Sequence, residues 1–441
     1  MRTWKPTSLL LAGLMALAAC SSTPGISTEP TTAESSAPES TAPESTAPES
    51  TAPESMAPES TAPESPAESM DMDMGGETAI NSDAANLRTD LDYLLGEHLI
   101  LAAKATGAAL DGRSEEFEAY GGLLNTNGTD LGGAIGSIYG DEAADEWNRI
   151  WSAHNGFFVD YTTGVATDDT ELADGAVEDL TTIYVPEFSS FLAGATGLPE
   201  DAITDLVTDH VLQTKAVVDA QAAGDWEAAY EAIRTAYAHM QMIGDALAPA
   251  IAEGNDIDGE AINPAVDFRV ALNQLLHKHL FLASFATGSA LDGRDDEFAA
   301  AGAALNTNGT DLGGAIGGLF GQDAEDEWNR IWSAHNGFFV DYTTGVATDD
   351  MAVQDQAVTD LTETYVPEFS AFLAGPTGLP EEALAELITE HVLTTKAIVD
   401  AQGSGDAAAA ADADREAAQH MRMLGDPLAE AIVAAQPESF E

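Results

Sequence analysis

Eight of the chain's nine histidines form four pairs at a single offset of 181 residues: His98 with His279, His154 with His335, His210 with His391, and His239 with His420. Only His277 has no counterpart. Each paired histidine sits among apolar residues at helical spacing, where an imidazole is either satisfied by a neighbour or acts as a ligand. Burying one without a partner costs on the order of 1–3 kcal/mol. Four such groups scattered separately would strain a domain whose whole stability is roughly 5–15 kcal/mol, whereas four that converge on one ion resolve the difficulty together. The spacing therefore predicts a metal site built from His98, His154, His210 and His239, and a second from His279, His335, His391 and His420. Imidazole nitrogen suits copper and zinc. Met240 and Met421, each next to the last histidine of its set, offer thioether sulfur that favours copper(I) or, alternatively, simple core filling.

Duplication accounts for part of the pairing, since RIWSAHNGFFVDYTTGVATDD occurs identically at 149–169 and 330–350. It does not account for all of it. Ahead of the last histidine, Trp226, Tyr230, Ile233 and Tyr237 are answered by Ala407, Ala411, Asp414 and Ala418. Yet His239-Met240-x-Met242 returns as His420-Met421-x-Met423. Paired carboxylates that could orient a ring N–H are Asp160/Asp341, Asp209/Glu390 and Asp245/Asp426. Glu97 becomes Lys278 and drops out of any shared ligand set, while Lys215 and Lys396 read as ion-pair partners for an acidic surface.

Other chemistries find less support. A ferritin-like di-iron site needs Glu-x-x-His on two helices, and no such motif is shared by the copies. Covalent c-type haem needs C-x-x-C-H, which is absent, although haem held by axial histidines remains an alternative. No paired Ser/His/Asp order, phosphate-binding glycine loop or H-E-x-x-H occurs. NGT at Asn127 and Asn308 is a formal glycosylation sequon within an expected helix.

The elements that must position these residues are helices. Leu91, Leu94, Leu95, His98, Leu101, Ala102 and Ala105 share one face; Trp147, Trp151, His154, Phe158, Tyr161 and Val165 share another; Ile203, Leu206, Val207, His210, Thr214 and Val217 a third. Phe117, Leu124, Leu131 and Ile138 recur every seven residues, which predicts one helix with Asn127 on its inner side despite Gly128. Pro186 should kink or split the segment 169–194, and Gly197-Leu198-Pro199 should open the next helix. A last helix is expected from near Asp225 to about Ile251. No run alternates with period two, so the fold class is all-α: two tandem helical bundles of about six helices each, at 86–252 and 267–441, joined by a linker at 253–266.

The formal charge of -61, from 76 acidic and 15 basic residues, excludes nucleic acid and anionic membrane surfaces as electrostatic partners. It suits a hydrated surface in salty medium. Arg2 and Lys5 precede the apolar run Leu9–Ala19, too short to span a bilayer and shaped like a signal peptide over 1–19. Residues 20–85, dominated by TAPES units, cannot bury enough apolar surface to fold and read as a disordered stalk. The Met-Asp alternation at Met70–Met74 belongs to that spacer.

Two resemblances rest on these residues. Leu17-Ala18-Ala19-Cys20 resembles the lipobox of bacterial lipoproteins, which implies a lipid on Cys20, the chain's one cysteine, and an extracytoplasmic, membrane-anchored protein. LLGEHLILA, NTNGTDLGGAIGSIYG, W-x-x-HNGFFVDYT, DHVLQT and AYAHMQMIGDALAPAI resemble an all-helical repeat domain of secreted and surface-attached bacterial proteins. That domain sometimes stands beside one similar to the N-terminal domain of copper amine oxidases. The resemblance implies a helical fold and the four histidine positions, and lends no catalytic activity. Together these readings predict a lipid-anchored copper- or zinc-binding protein, more plainly a carrier than an enzyme. The alternatives are a structural or adhesive surface module with core histidines, and a haem-binding or metal-dependent oxidase.

Overall fold

The computed structural model describes residues 80–440, so the signal peptide, Cys20 and residues 20–79 of the expected stalk lie outside the described residues. Among the described residues every regular element is helical. Repeat one comprises α1 (Asp83–Leu110), α2 (Ser114–Tyr139), α3 (Asp141–Ala166), α4 (Thr170–Asp179), α5 (Val185–Thr196), α6 (Glu200–Ala222) and α7 (Trp226–Gly254). Repeat two follows as α8 (Pro264–Leu291), α9 (Asp295–Phe320), α10 (Gln322–Ala347), α11 (Met351–Thr359), α12 (Val366–Thr377), α13 (Glu381–Ser404) and α14 (Ala407–Ala435). No described helix is long and apolar enough to cross a membrane.

The starts are set by local capping. Ser82 accepts from Ala85 N, Asp225 from Ala228 N and Asp406 from Ala409 N, each satisfying an N–H that the helix itself cannot. Asn263 does the same for α8, with Pro264 at its first position. Accordingly α1 begins three residues before the expected boundary at 86, and α8 three before 267. Both α4 and α11 run into a wider π turn, Leu180–Tyr184 and Asp360–Tyr365. Pro186 has no N–H for the carbonyl four residues back and its ring crowds that turn, so the backbone widens just ahead of it. The split expected at Pro186 therefore takes the form of a π turn rather than a loop.

The two bundles pack against each other within one compact unit, through α1 with α8, α2 with α14 and α7 with α9. Matched arginines clasp the opposite repeat. Arg88 donates to Asp267 at 2.5 Å and to the Ala261 carbonyl at 3.1 Å, and Arg269 donates to the Ile80 carbonyl at 2.9 Å. The connector is thus tied down, not merely spanned. At the centre, Lys104 reaches Asp414 at 2.9 Å and Ser284 Oγ at 2.8 Å, while the Tyr120 hydroxyl donates to Asp414 at 2.6 Å. The equivalent positions of Lys104 and Asp414 are Phe285 and Ile233. The buried ion pair of one side is thus replaced by apolar packing on the other, where Arg234 still pairs with Asp311 at 3.1 Å and the Tyr230 hydroxyl donates to Glu297 at 3.2 Å.

Candidate metal centre

Helices α1, α3 and α6 each deliver one histidine to the interior of repeat one, because each carries its histidine on the stripe that packs inward. His98, His154 and His210 offer ring nitrogens that all lie within 4.8 Å of one another, and His279, His335 and His391 do the same in repeat two. Ring centroids stand 5.5, 6.0 and 5.6 Å apart in the first group, and 5.6, 6.1 and 5.5 Å apart in the second. All six side chains belong to residues 4% exposed or less.

The nitrogens are short of hydrogen-bond partners. His98 Nδ1 and both ring nitrogens of His154 and His210 are buried with none; in repeat two the same holds for His279 Nδ1, both nitrogens of His335, and His391 Nε2. Aromatic rings close the chamber. The Trp151 ring centroid lies 4.6 Å from His98, and that of Tyr184 lies 4.4 Å from His154. Trp332 and Tyr365 repeat this at 4.5 Å each. Burial, and then the neighbouring His210, push His98 down to about 3. His154 and His210 are likewise held well below the ordinary imidazole range, first by burial and then by adjacent rings. The rings are therefore neutral at any physiological pH, the form that ligates a metal.

The fourth histidine of each expected set is placed differently. His239 donates from Nε2 to the Leu206 carbonyl at 2.8 Å, and His420 donates to the Leu387 carbonyl at 2.8 Å. Leu206 lies one helical turn before His210, so His239 ties α7 to the turn that presents a converging ring. The four-nitrogen expectation becomes a three-nitrogen group with a positioning histidine. Met240 and Met421 are buried at 1% exposure, but Met242 and Met423 stand at the surface at 56% and 47%.

The carboxylates expected to orient the rings are elsewhere. Asp160, Asp341, Asp209 and Glu390 are exposed, whereas Asp245 and Asp426 pair with Arg88 and Arg269 at 2.7 and 2.8 Å. No carboxylate or cysteine joins either group among the described residues. Lys215 and Lys396 pair with Asp219 and Asp400 at 2.7 and 2.6 Å, as the acidic surface suggested. Asn127 is fully buried and donates to the Leu94 carbonyl at 2.9 Å and to Glu97 at 2.8 Å, a placement that leaves no room for a glycan. His277 bonds the Tyr237 hydroxyl at 2.7 Å, outside both groups.

Tyr184 and Tyr365 were not legible as site residues. The one sequence signal was the proline two residues on, which widens the turn that holds each tyrosine. Compared with protein-family models, with curated proteins and with solved structures, the chain matches none. The fold and geometry define an all-α protein with two buried three-histidine groups able to hold a metal ion.

Proposed function

We propose that this is a lipid-anchored, extracytoplasmic metal-binding protein that takes one copper(I) ion in each repeat for buffering or delivery. The observation that carries this reading is the set of neutral, buried imidazole nitrogens that face one another without hydrogen-bond partners. A structural core of histidines would satisfy them from neighbours, as the Leu206 carbonyl satisfies His239 Nε2. Charge supports copper(I) over zinc. The group supplies no anion, and the cost of burying an ion rises with the square of its charge, so a monovalent soft ion is the least penalised occupant. Zinc would need a hydroxide or other anion in a fourth position. A haem plate held between two of the rings would meet the third imidazole, which argues for a single ion.

One experiment tests both halves of the proposal. Protein isolated without an affinity tag is expected in the membrane fraction with an acylated Cys20, and to bind two copper(I) ions under anaerobic titration. His154→Phe should reduce this to one ion, His154→Phe with His335→Phe to none, and His239→Phe should leave two, with the ion of repeat one held more weakly. Chain found only in the soluble fraction removes the anchor. No retained metal, together with melting indifferent to chelator, leaves a structural module. Three ligands in place of four leave a coordination position open, which favours an oxidase as the second reading. Copper-dependent oxygen consumption by the loaded protein would promote it.

A further inference from the structure

The two arginines that clasp the repeats are equivalent, but the residues around them are not. Arg269 donates to Asp426 at 2.8 Å and to Asn86 Oδ1 at 2.8 Å, and Asn273 Nδ2 donates to Asp426 Oδ1 at 2.6 Å. Around Arg88 the repeat places Asp245 for Asp426, Asp267 for Asn86 and Asp92 for Asn273. One arginine thus stands among three carboxyl groups where its counterpart has one. Arg422, which also pairs with Asp426, is answered in repeat one by uncharged Gln241. Two of the three carboxyl groups accept from Arg88, Asp245 at 2.7 Å and Asp267 at 2.5 Å. Asp92 does not. It comes no nearer to Arg88 than 3.8 Å, it is 1% exposed, and neither of its oxygens has a hydrogen-bond partner.

The second clasp shows how Asp92 is turned. Asn273 Oδ1 lies against Gly425, where a Cβ would come within 2.1 Å of it, and Asp92 Oδ1 lies against Gly244 in the same way, at 1.9 Å. With Oδ1 seated on the glycine, Asp92 Oδ2 takes the place of Asn273 Nδ2, the atom that donates to the facing carboxylate. In repeat one that carboxylate is Asp245. An amide N–H or a carboxylic acid O–H can fill such a place, whereas a second carboxylate would bring two anions together. Burial, and then Asp245, hold the Asp92 carboxyl well above the usual carboxylate range, against the pull of Arg88. The cavity beside it, about 10 Å³, reaches the lower limit for one water and cannot hydrate an ion. The other titratable groups around it are engaged elsewhere or uncharged. His277 on α8 bonds the Tyr237 hydroxyl of α7 at 2.7 Å, Arg422 on α14 pairs with Asp90 at 2.6 Å, and Tyr93 is its neighbour on α1.

We propose that Asp92 is kept as a neutral carboxylic acid whose Oδ2–H donates to Asp245, which makes the Arg88 clasp a pH-sensitive fastening between the repeats, closed while the proton is held and loosened when it passes to solvent. The site shares no residue with the histidine groups and is independent of the metal reading. Below the unfolded carboxyl's value near 3.9 both states hold the proton. As pH rises the unfolded chain releases it and the native chain retains it, so the stability this group contributes is lost until the native acid ionises too. Asp92→Asn removes that loss and supplies the donor that Asn273 already provides in repeat two. In urea unfolding of the whole protein from pH 5 upward, the variant's folding constant should gain on the parent's by about tenfold per pH unit until the native acid ionises. Infrared difference spectra at pH 6 should show the carbonyl band of an un-ionised carboxyl in the parent that the variant lacks. Protease cleavage in the connector 255–263, which Arg88 holds through the Ala261 carbonyl, should accelerate in the parent relative to the variant as pH rises. Absence of the band, equal pH dependence of the two proteins, or a variant less stable than the parent at every pH overturns the proposal. So does a ratio of cleavage rates that stays constant up to pH 9.

Discussion

An imidazole buried neutral is a proton acceptor that the fold keeps from its proton. In the unfolded chain His98, His154 and His210 titrate near 6.5, whereas burial holds His98 down to about 3 and its two neighbours well below the ordinary value. Between those limits the unfolded state binds protons that the native state refuses. Stability from these rings is thus complete above about pH 6.5 and falls as pH falls below it, for His98 down to about 3. Each ring contributes a slope of about 1.4 kcal/mol per pH unit. Many carboxylates titrate in the same range, so the measurable quantity is a difference. Urea unfolding of metal-free protein at pH 7, 6 and 5 should show a shallower decline for His154→Phe than for the parent chain, by about one proton. Equal slopes would mean that His154 is already protonated, or accessible to water, in the fold.

The helices matter through where they let side chains approach. Gly128 lies mid-helix in α2, where it lowers helix propensity by about 1 kcal/mol relative to alanine. A Cβ there would stand 2.6 Å from Cδ1 of Trp151, the ring that packs on His98. The glycine is therefore the notch that seats the indole. Gly128→Ala should destabilise the protein and weaken copper binding in repeat one alone, because Trp151 must move toward the chamber. Gly133→Ala, on the same helix with nothing within 4 Å, should instead stabilise by about 0.5–1 kcal/mol. Thermal melts and metal per chain read both outcomes; a Gly128→Ala protein with two ions and a raised melting temperature would defeat the argument. The π turns act in the same way, swinging Tyr184 and Tyr365 over His154 and His335.

Across the whole molecule, the repeats act as one body because charges are shared between them. Lys104 and Asp414 are 4% and 0% exposed and come from different repeats, with Glu97 and Arg415 at 3.2 Å nearby. Removing one member of such a pair leaves a buried charge alone, at a cost of about 3–5 kcal/mol. Asp414→Ala should therefore lower the melting temperature of both repeats together, and Lys104→Met with Asp414→Leu should recover most of it, since the equivalent positions are already Phe285 and Ile233. Independent melting of the two halves in calorimetry would contradict a common core.

Much of this was written in local pattern. The inward stripes of α1, α3 and α6 follow from the 3.6-residue period, and the bounds of α5 and the start of α7 from Pro186, Gly197 and Asp225, because capping and backbone restriction act over a few residues. The same stripes announced that His98, His154 and His210 point inward. Tertiary packing alone decided that these three meet while His239 turns to the Leu206 carbonyl, and that the repeats interlock around Lys104 and Asp414 instead of hanging as separate beads. Periodicity tells which face of a helix is buried. How far each helix is rotated and shifted against its neighbours depends on contacts between residues more than a hundred positions apart, and no local rule carries that distance.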